Sequence, residues 1–306
     1  MTADHRADHR AGRRSEPRSD PRSDPRGDPR SDSRAVVGET GARDLAVTVG
    51  VVVALARFAP DSFAWPIALV LLAGVVLGAL QIVAEASPSA ATAGVPVESL
   101  ILPGAASLAA LGAVRLIPIG IALAPAIVLA GGLVGLAMVT ELRIARASGP
   151  PSSADRTAVL IEVLVIGFLG FAGVASLVPG GLPVPGQGGG AIGADGIAVL
   201  AQAGGDAIIG FLLAYRVAAL RSSNLRDVAW FGVTGAAVVA IAAVALRSIE
   251  IPRILGPALL VLVFFLWDAI HSGGAVRRRD PLRRWETLAL VVLAIVVIGW
   301  SAGIRG

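Results

Sequence analysis

A chain of 306 residues with 55% hydrophobic side chains, a mean hydropathy of +0.76 and only 16% charge is too apolar for a water-soluble protein, because soluble domains keep about a quarter of their residues charged. The net charge is only +4 despite a pI near 10.9, and the arginines lie where membrane topology puts them, so no nucleic-acid partner is expected. Cysteine is absent and histidine occurs three times, as His5, His9 and His271. That excludes disulfides and thiolate chemistry, argues against haem and structural zinc, and leads us to expect no cofactor and no metal.

Charge is also unevenly spread. Residues 1–44 hold ten of the 26 basic and nine of the 22 acidic residues, and every basic residue is arginine. With so much Ala, Gly, Val and Pro, this composition suggests a bacterial genome rich in G and C. Residues 1–43 repeat a four-residue pattern, ADHR twice and then RSDP, RSDP, RGDP and RSDS. The repeat offers no apolar face, so a disordered tail is expected. Its Arg26-Gly27-Asp28 matches an adhesion tripeptide but reads as a Ser-to-Gly variant of the repeat itself.

From residue 44 onward the expected fold class is all-α, a polytopic transmembrane bundle of about nine helices in the lipid bilayer. The spans are 45–58, 63–84, 100–114, 117–140, 157–178, 196–220, 228–246, 251–270 and 285–304. The first is short, and Ala54-Leu55-Ala56 resembles a signal-peptidase site. A secretory signal would have a short basic leader rather than the long tail here, so an uncleaved helix is expected. Arg115 and Pro118 separate the third and fourth spans as a tight hairpin, since proline removes a helical hydrogen bond and restrains the residue before it. Polar residues 141–156 divide a front half from a back half, and a Pro/Gly-rich loop fills 179–196.

Arginine placement predicts the orientation. With the N-terminus in the cytoplasm, the cytoplasmic loops carry Arg143, Arg146 and Arg156, then Arg216, Arg221 and Arg226, then the cluster at 277–284. Arg57, Arg115, Arg247, Arg253 and Arg305 are left isolated outside. The five tryptophans, Trp65, Trp230, Trp267, Trp285 and Trp300, all fall near span ends, as an aromatic belt requires. Gly74/Gly78, Gly131/Gly135 and Gly167/Gly170/Gly173 are spaced for close helix packing.

Ionisable groups inside the hydrocarbon are costly and mark candidate sites. Asp206 stands ten residues into the sixth span, about 15 Å along it, with Gln202 one turn above and Asp195 near the same face. These three form a candidate polar stripe for a proton, a cation or a polar substrate. A second candidate cluster, at the inner face, comprises Glu162, Arg216, Asp268 and His271. There a Glu162–Arg216 ion pair is the simplest expectation, and Asp268 with His271 at i,i+3 is an acid–base or metal pair only if an open groove meets it. Paired aspartates, H-E-x-x-H, G-x-S-x-G and Walker-type motifs are all missing, and the glycine run at 186–193 lacks the Lys and Ser/Thr of a phosphate cradle.

These observations favour a non-catalytic membrane protein acting as a scaffold or partner subunit. A transporter using Asp206 is the alternative, and an enzyme acting on a lipid-linked substrate at the inner face is the second alternative.

Overall fold

A computed structural model describes residues 29–86, 94–147, 149–178, 196–222, 224–247 and 255–271, with side chains described from Val36 onward. All described regular structure is helical: α1 Pro29–Phe58, α2 Ala64–Ala86, α3 Glu98–Arg115, α4 Leu123–Arg146, α5 Ser153–Leu177, α6 Gly196–Ala219, α7 Leu225–Arg247 and α8 Leu255–His271, with one 3-10 turn at Asp61–Phe63. Five of these, α2, α4, α5, α6 and α7, are long and apolar enough to cross a membrane, while α8, at 17 residues, is shorter. This is an all-α, multi-pass membrane protein. The span expected at 285–304 lies outside the described residues.

Four helix ends differ from the sequence expectation. α1 begins at Pro29, inside the segment expected to be disordered. Farther along α1, Ala42 is buried, and the bare backbone of Gly41 lies against Ile82 of α2. α4 begins at Leu123 rather than at 117, since Pro118 and Gly120 hold residues 116–122 in turns. At its other end α4 runs on through Glu141 to Arg146, because no proline or glycine interrupts it before Gly149. α5 starts at Ser153, where Ser152 and Asp155 form a reciprocal capping box that satisfies two otherwise open backbone donors.

The helices alternate in direction. The end where α1 finishes is termed the far end, and the opposite one the near end. α3 lies at the centre, touching α1, α2, α4, α5 and α6, and most of its residues are buried. In a lipid solvent apolar burial gives helices no reason to associate, so close van der Waals contact has to do it. The tightest contact joins α3 to α5. There Gly112 and Gly173 stack backbone to backbone, and a methyl on Gly173 would lie 2.9 Å from the Gly112 Cα. On the other side of the bundle, Gly131 and Gly135 of α4 let Ala46 of α1 approach, with a methyl on Gly131 falling 2.6 Å from the Ala46 carbonyl oxygen. Gly74, by contrast, has nothing within 4 Å. Val70, Val128, Leu129, Leu200, Trp230 and Ile241 face outward, as an apolar belt in contact with lipid requires. Trp267 departs from the expected aromatic belt. It is buried against Phe231 (ring centroids 4.2 Å apart), Phe264 and Gly235.

At the far end α1 and α3 cap one another. Arg57 donates from Nε and Nη2 to the Ile117 carbonyl at 3.3 and 3.1 Å, and Arg115 Nη1 donates to the Ala56 carbonyl at 3.5 Å. Open carbonyls at helix C-termini carry partial negative charge, so arginine is favoured there.

Two glycine substitutions should separate these roles. Gly112→Ala forces the α3–α5 crossing apart and should cost about 1–3 kcal/mol. Gly74→Ala adds a methyl in open space and should stabilise α2 by up to about 1 kcal/mol. Thermal unfolding of both variants in detergent, beside wild type, checks this, with a lower melting temperature expected for the first and an equal or higher one for the second.

Candidate functional site

The near end holds a buried ionic cluster on three helices. Because α4 continues past Thr140, Glu141 enters the interior at 1% exposure, and Arg216 of α6 reaches it at 4%. The guanidinium grips the carboxylate with two bonds, Nε to Oε1 and Nη2 to Oε2, both 2.6 Å. That bidentate fork is the strongest geometry available to such a pair. Glu162 of α5, expected to pair with Arg216, instead accepts the Thr140 hydroxyl through Oε1 at 2.5 Å, and its Oε2 has no hydrogen-bond partner. Glu141 takes the Nε–Nη2 edge of the guanidinium with both of its oxygens. Glu141 was missing from the sequence reading, which placed it in a loop. The apolar Leu142 and Ile144 that follow it are the signal that the helix continues.

Asp268 and His271 do not converge with Glu162. Asp268 is held from both oxygens by Arg221, at 2.7 and 2.9 Å. His271 donates from Nδ1 to the Trp267 carbonyl at 2.9 Å, one turn back on its own helix, and lies beside the Trp267 ring. Among the described residues no three His, Asp or Glu side chains group as a metal site.

The mid-bundle site lies along the seam between α6 and α7. Successive contacts fix the antiparallel register: Ala214 faces Gly235, Gly210 faces Val239, and Gln202 meets Arg247. Asp206 stands on this same face of α6, between Gly210 and Gln202, so the register sets the buried Ala243 opposite it. Asp206 is fully buried at 0% exposure, and neither carboxylate oxygen has a hydrogen-bond partner. Its neighbours along α6 leave no slack, since Gly205 lies against Val174 of α5. One turn toward the far end, Gln202 accepts from Arg247 Nη1 at 2.6 Å, and the same Nη1 reaches the Ala198 carbonyl at 3.5 Å. Asp195, the third member of the expected stripe, lies outside the described residues. Arg247 was not foreseen as part of this site, because its own span carries no other polar mark.

No known protein family matches this chain, and neither a curated protein nor a solved structure is significantly similar to it.

Removing one member of a buried ion pair strands the other, at a cost of about 3–5 kcal/mol, whereas replacing both with apolar residues is often neutral. Arg216→Met should accordingly unfold far more readily than wild type, and Glu141→Leu with Arg216→Met should recover most of the loss. Chemical unfolding in mixed micelles measures both variants.

Proposed function

We propose that the chain is a multi-pass protein of the cytoplasmic membrane that catalyses nothing itself and serves as a scaffold or partner subunit. In this reading the N-terminus is cytoplasmic, the near end is the inner face, and the span at 285–304 completes nine crossings. The observation that carries it is the dispersal of the inner-face ionisable groups, with Glu162 turned to the Thr140 hydroxyl through one oxygen and its other oxygen left without a hydrogen-bond partner. Arg216 is spent on Glu141, Arg221 on Asp268 and His271 on a backbone carbonyl. Catalysis on a lipid-linked substrate needs those groups to converge on an accessible groove, and they are divided among separate helix contacts instead. The orientation is supported by charge: Arg143, Arg146, Arg156, Arg221 and Arg226 gather at the near end, and arginine in short loops resists translocation.

A second reading is favoured by one observation, the buried carboxyl of Asp206 without a hydrogen-bond partner. An uncompensated charge at mid-membrane costs roughly 2.5–3.5 kcal/mol on insertion scales. A side chain with no bond to show for that cost fits a site that binds a proton or cation better than it fits a structural tie between helices.

Two measurements test these readings. Because the chain lacks cysteine, single cysteines report topology cleanly. Gly120 and Gly149 both have open space around them. Gly120→Cys should react with an impermeant thiol reagent on intact cells, and Gly149→Cys only after permeabilisation; the reverse pattern inverts the orientation. For the role, wild-type protein in liposomes under an imposed proton or sodium gradient should pass neither ion. A flux that disappears in Asp206→Asn would replace the scaffold reading with the transporter.

A further inference from the structure

Resting on the second reading, the geometry points to Asp206 as a proton-binding site whose alternative counter-charge is Arg247, the two residues forming a latent ion pair across the α6–α7 seam. A carboxyl without a donor and a guanidinium bound, among the described residues, to two neutral acceptors stand about one helical turn apart. Residues at i and i+4 are helix neighbours, with about 5–6 Å between Cβ atoms. Gln202, at i−4 from Asp206, therefore holds the guanidinium at the next level along the same face.

Side-chain direction brings the two together. Every Cα–Cβ bond tilts toward the N-terminus of its helix. In the antiparallel α6–α7 pair, Asp206 thus leans toward the far end, and Arg247, on the last turn of α7, leans inward toward Ala243. Ala243, buried opposite Asp206, puts only a methyl group between the two levels of the seam.

The ligand is a proton rather than a metal ion. A hard cation requires several oxygen ligands, six to eight for calcium, and among the described residues no group of three acidic or histidine side chains is present. The other charged or titratable groups on the packed helices are remote or committed. Between Glu162 and Leu177, α5 carries none, and α7 has none between Asp227 and Arg247. On α6 itself, Tyr215 and Arg216 lie more than two turns nearer the inner end. On α3, Glu98 stands at the inner end and Arg115 is directed at Ala56 of α1.

In the resting state Asp206 holds its proton and is neutral, while Arg247 sits on Gln202. On deprotonation the O–H bond breaks and the proton passes to water at the far end. Arg247 then shifts one level inward to compensate the carboxylate. The carboxyl thus passes from neutral to −1 while Arg247 comes alongside, so the pair is neutral and the seam as a whole gives up one positive charge with the proton.

The experiment uses the full-length protein in detergent and follows the carbonyl-stretch band of a buried carboxylic acid by infrared difference spectroscopy across a pH series. A band present at low pH, lost as pH rises and missing from Asp206→Asn is expected. An opposite charge at pairing distance lowers a carboxyl pKa by about 1–3 units, so Arg247→Gln should move the loss upward by that amount and Arg247→Lys should restore it. Gln202→Leu removes the resting acceptor and should move the loss downward. A wild-type band that titrates identically in Arg247→Gln and Gln202→Leu overturns the latent pair while leaving the proton site standing. Absence of any Asp206-dependent band overturns the proton site itself.

Discussion

Everything in this bundle answers to the cost of placing charge where water cannot follow. A lipid interior offers no compensation for an ionised side chain, so each buried one must be paired, neutralised or directed out. Glu141 and Arg216 meet that requirement in one bidentate contact, and the contact in turn ties α4 to α6, helices that otherwise touch little. Asp268 meets it through Arg221, which is itself partly exposed to the near face. Arg57, Arg115 and Arg247 meet it against helix carbonyls or the Gln202 amide. Asp206 meets it with nothing among the described residues.

Charge alone does not hold the helices together. Around these few polar contacts the bundle is assembled by backbone approach, most closely where Gly112 meets Gly173 and where Gly131 admits Ala46. Because α3 touches five neighbours, its near-featureless run of Ala, Gly and Leu acts as the surface on which the other helices find their places.

The composition made the membrane class and the all-helical architecture legible, since long apolar runs broken by proline, glycine and arginine allow little else. Helix ends were harder. Ending α4 at Thr140 followed the polarity of Glu141 and Arg143, yet the helix continued because its backbone met no break. That one misplacement hid the buried acid on which Arg216 depends. Pairing Arg216 with Glu162 was natural for adjacent spans. Sequence gives the depth of a residue along its own helix, whereas the lateral neighbour depends on how six or more helices are arranged around α3. The depth of Asp206 could likewise be counted from the sequence. Its lack of a donor, and the arginine held one turn away, depend on the α6–α7 register, which no local pattern encodes.

The packing of α1 against α4 has a consequence for biosynthesis. α1 leaves the ribosome first, while Gly131 and Gly135, the residues that receive its Ala46, emerge only after α2 and α3 have been made. At about 5–20 residues per second the wait is on the order of seconds. Throughout it α1, which is not among the five described helices long and apolar enough by composition to cross a membrane, has only α2 and α3 of its neighbours in the nascent chain. The close seat of the first helix is therefore completed late, when the fourth arrives, and ribosome-bound chains stalled before residue 131 would lack it.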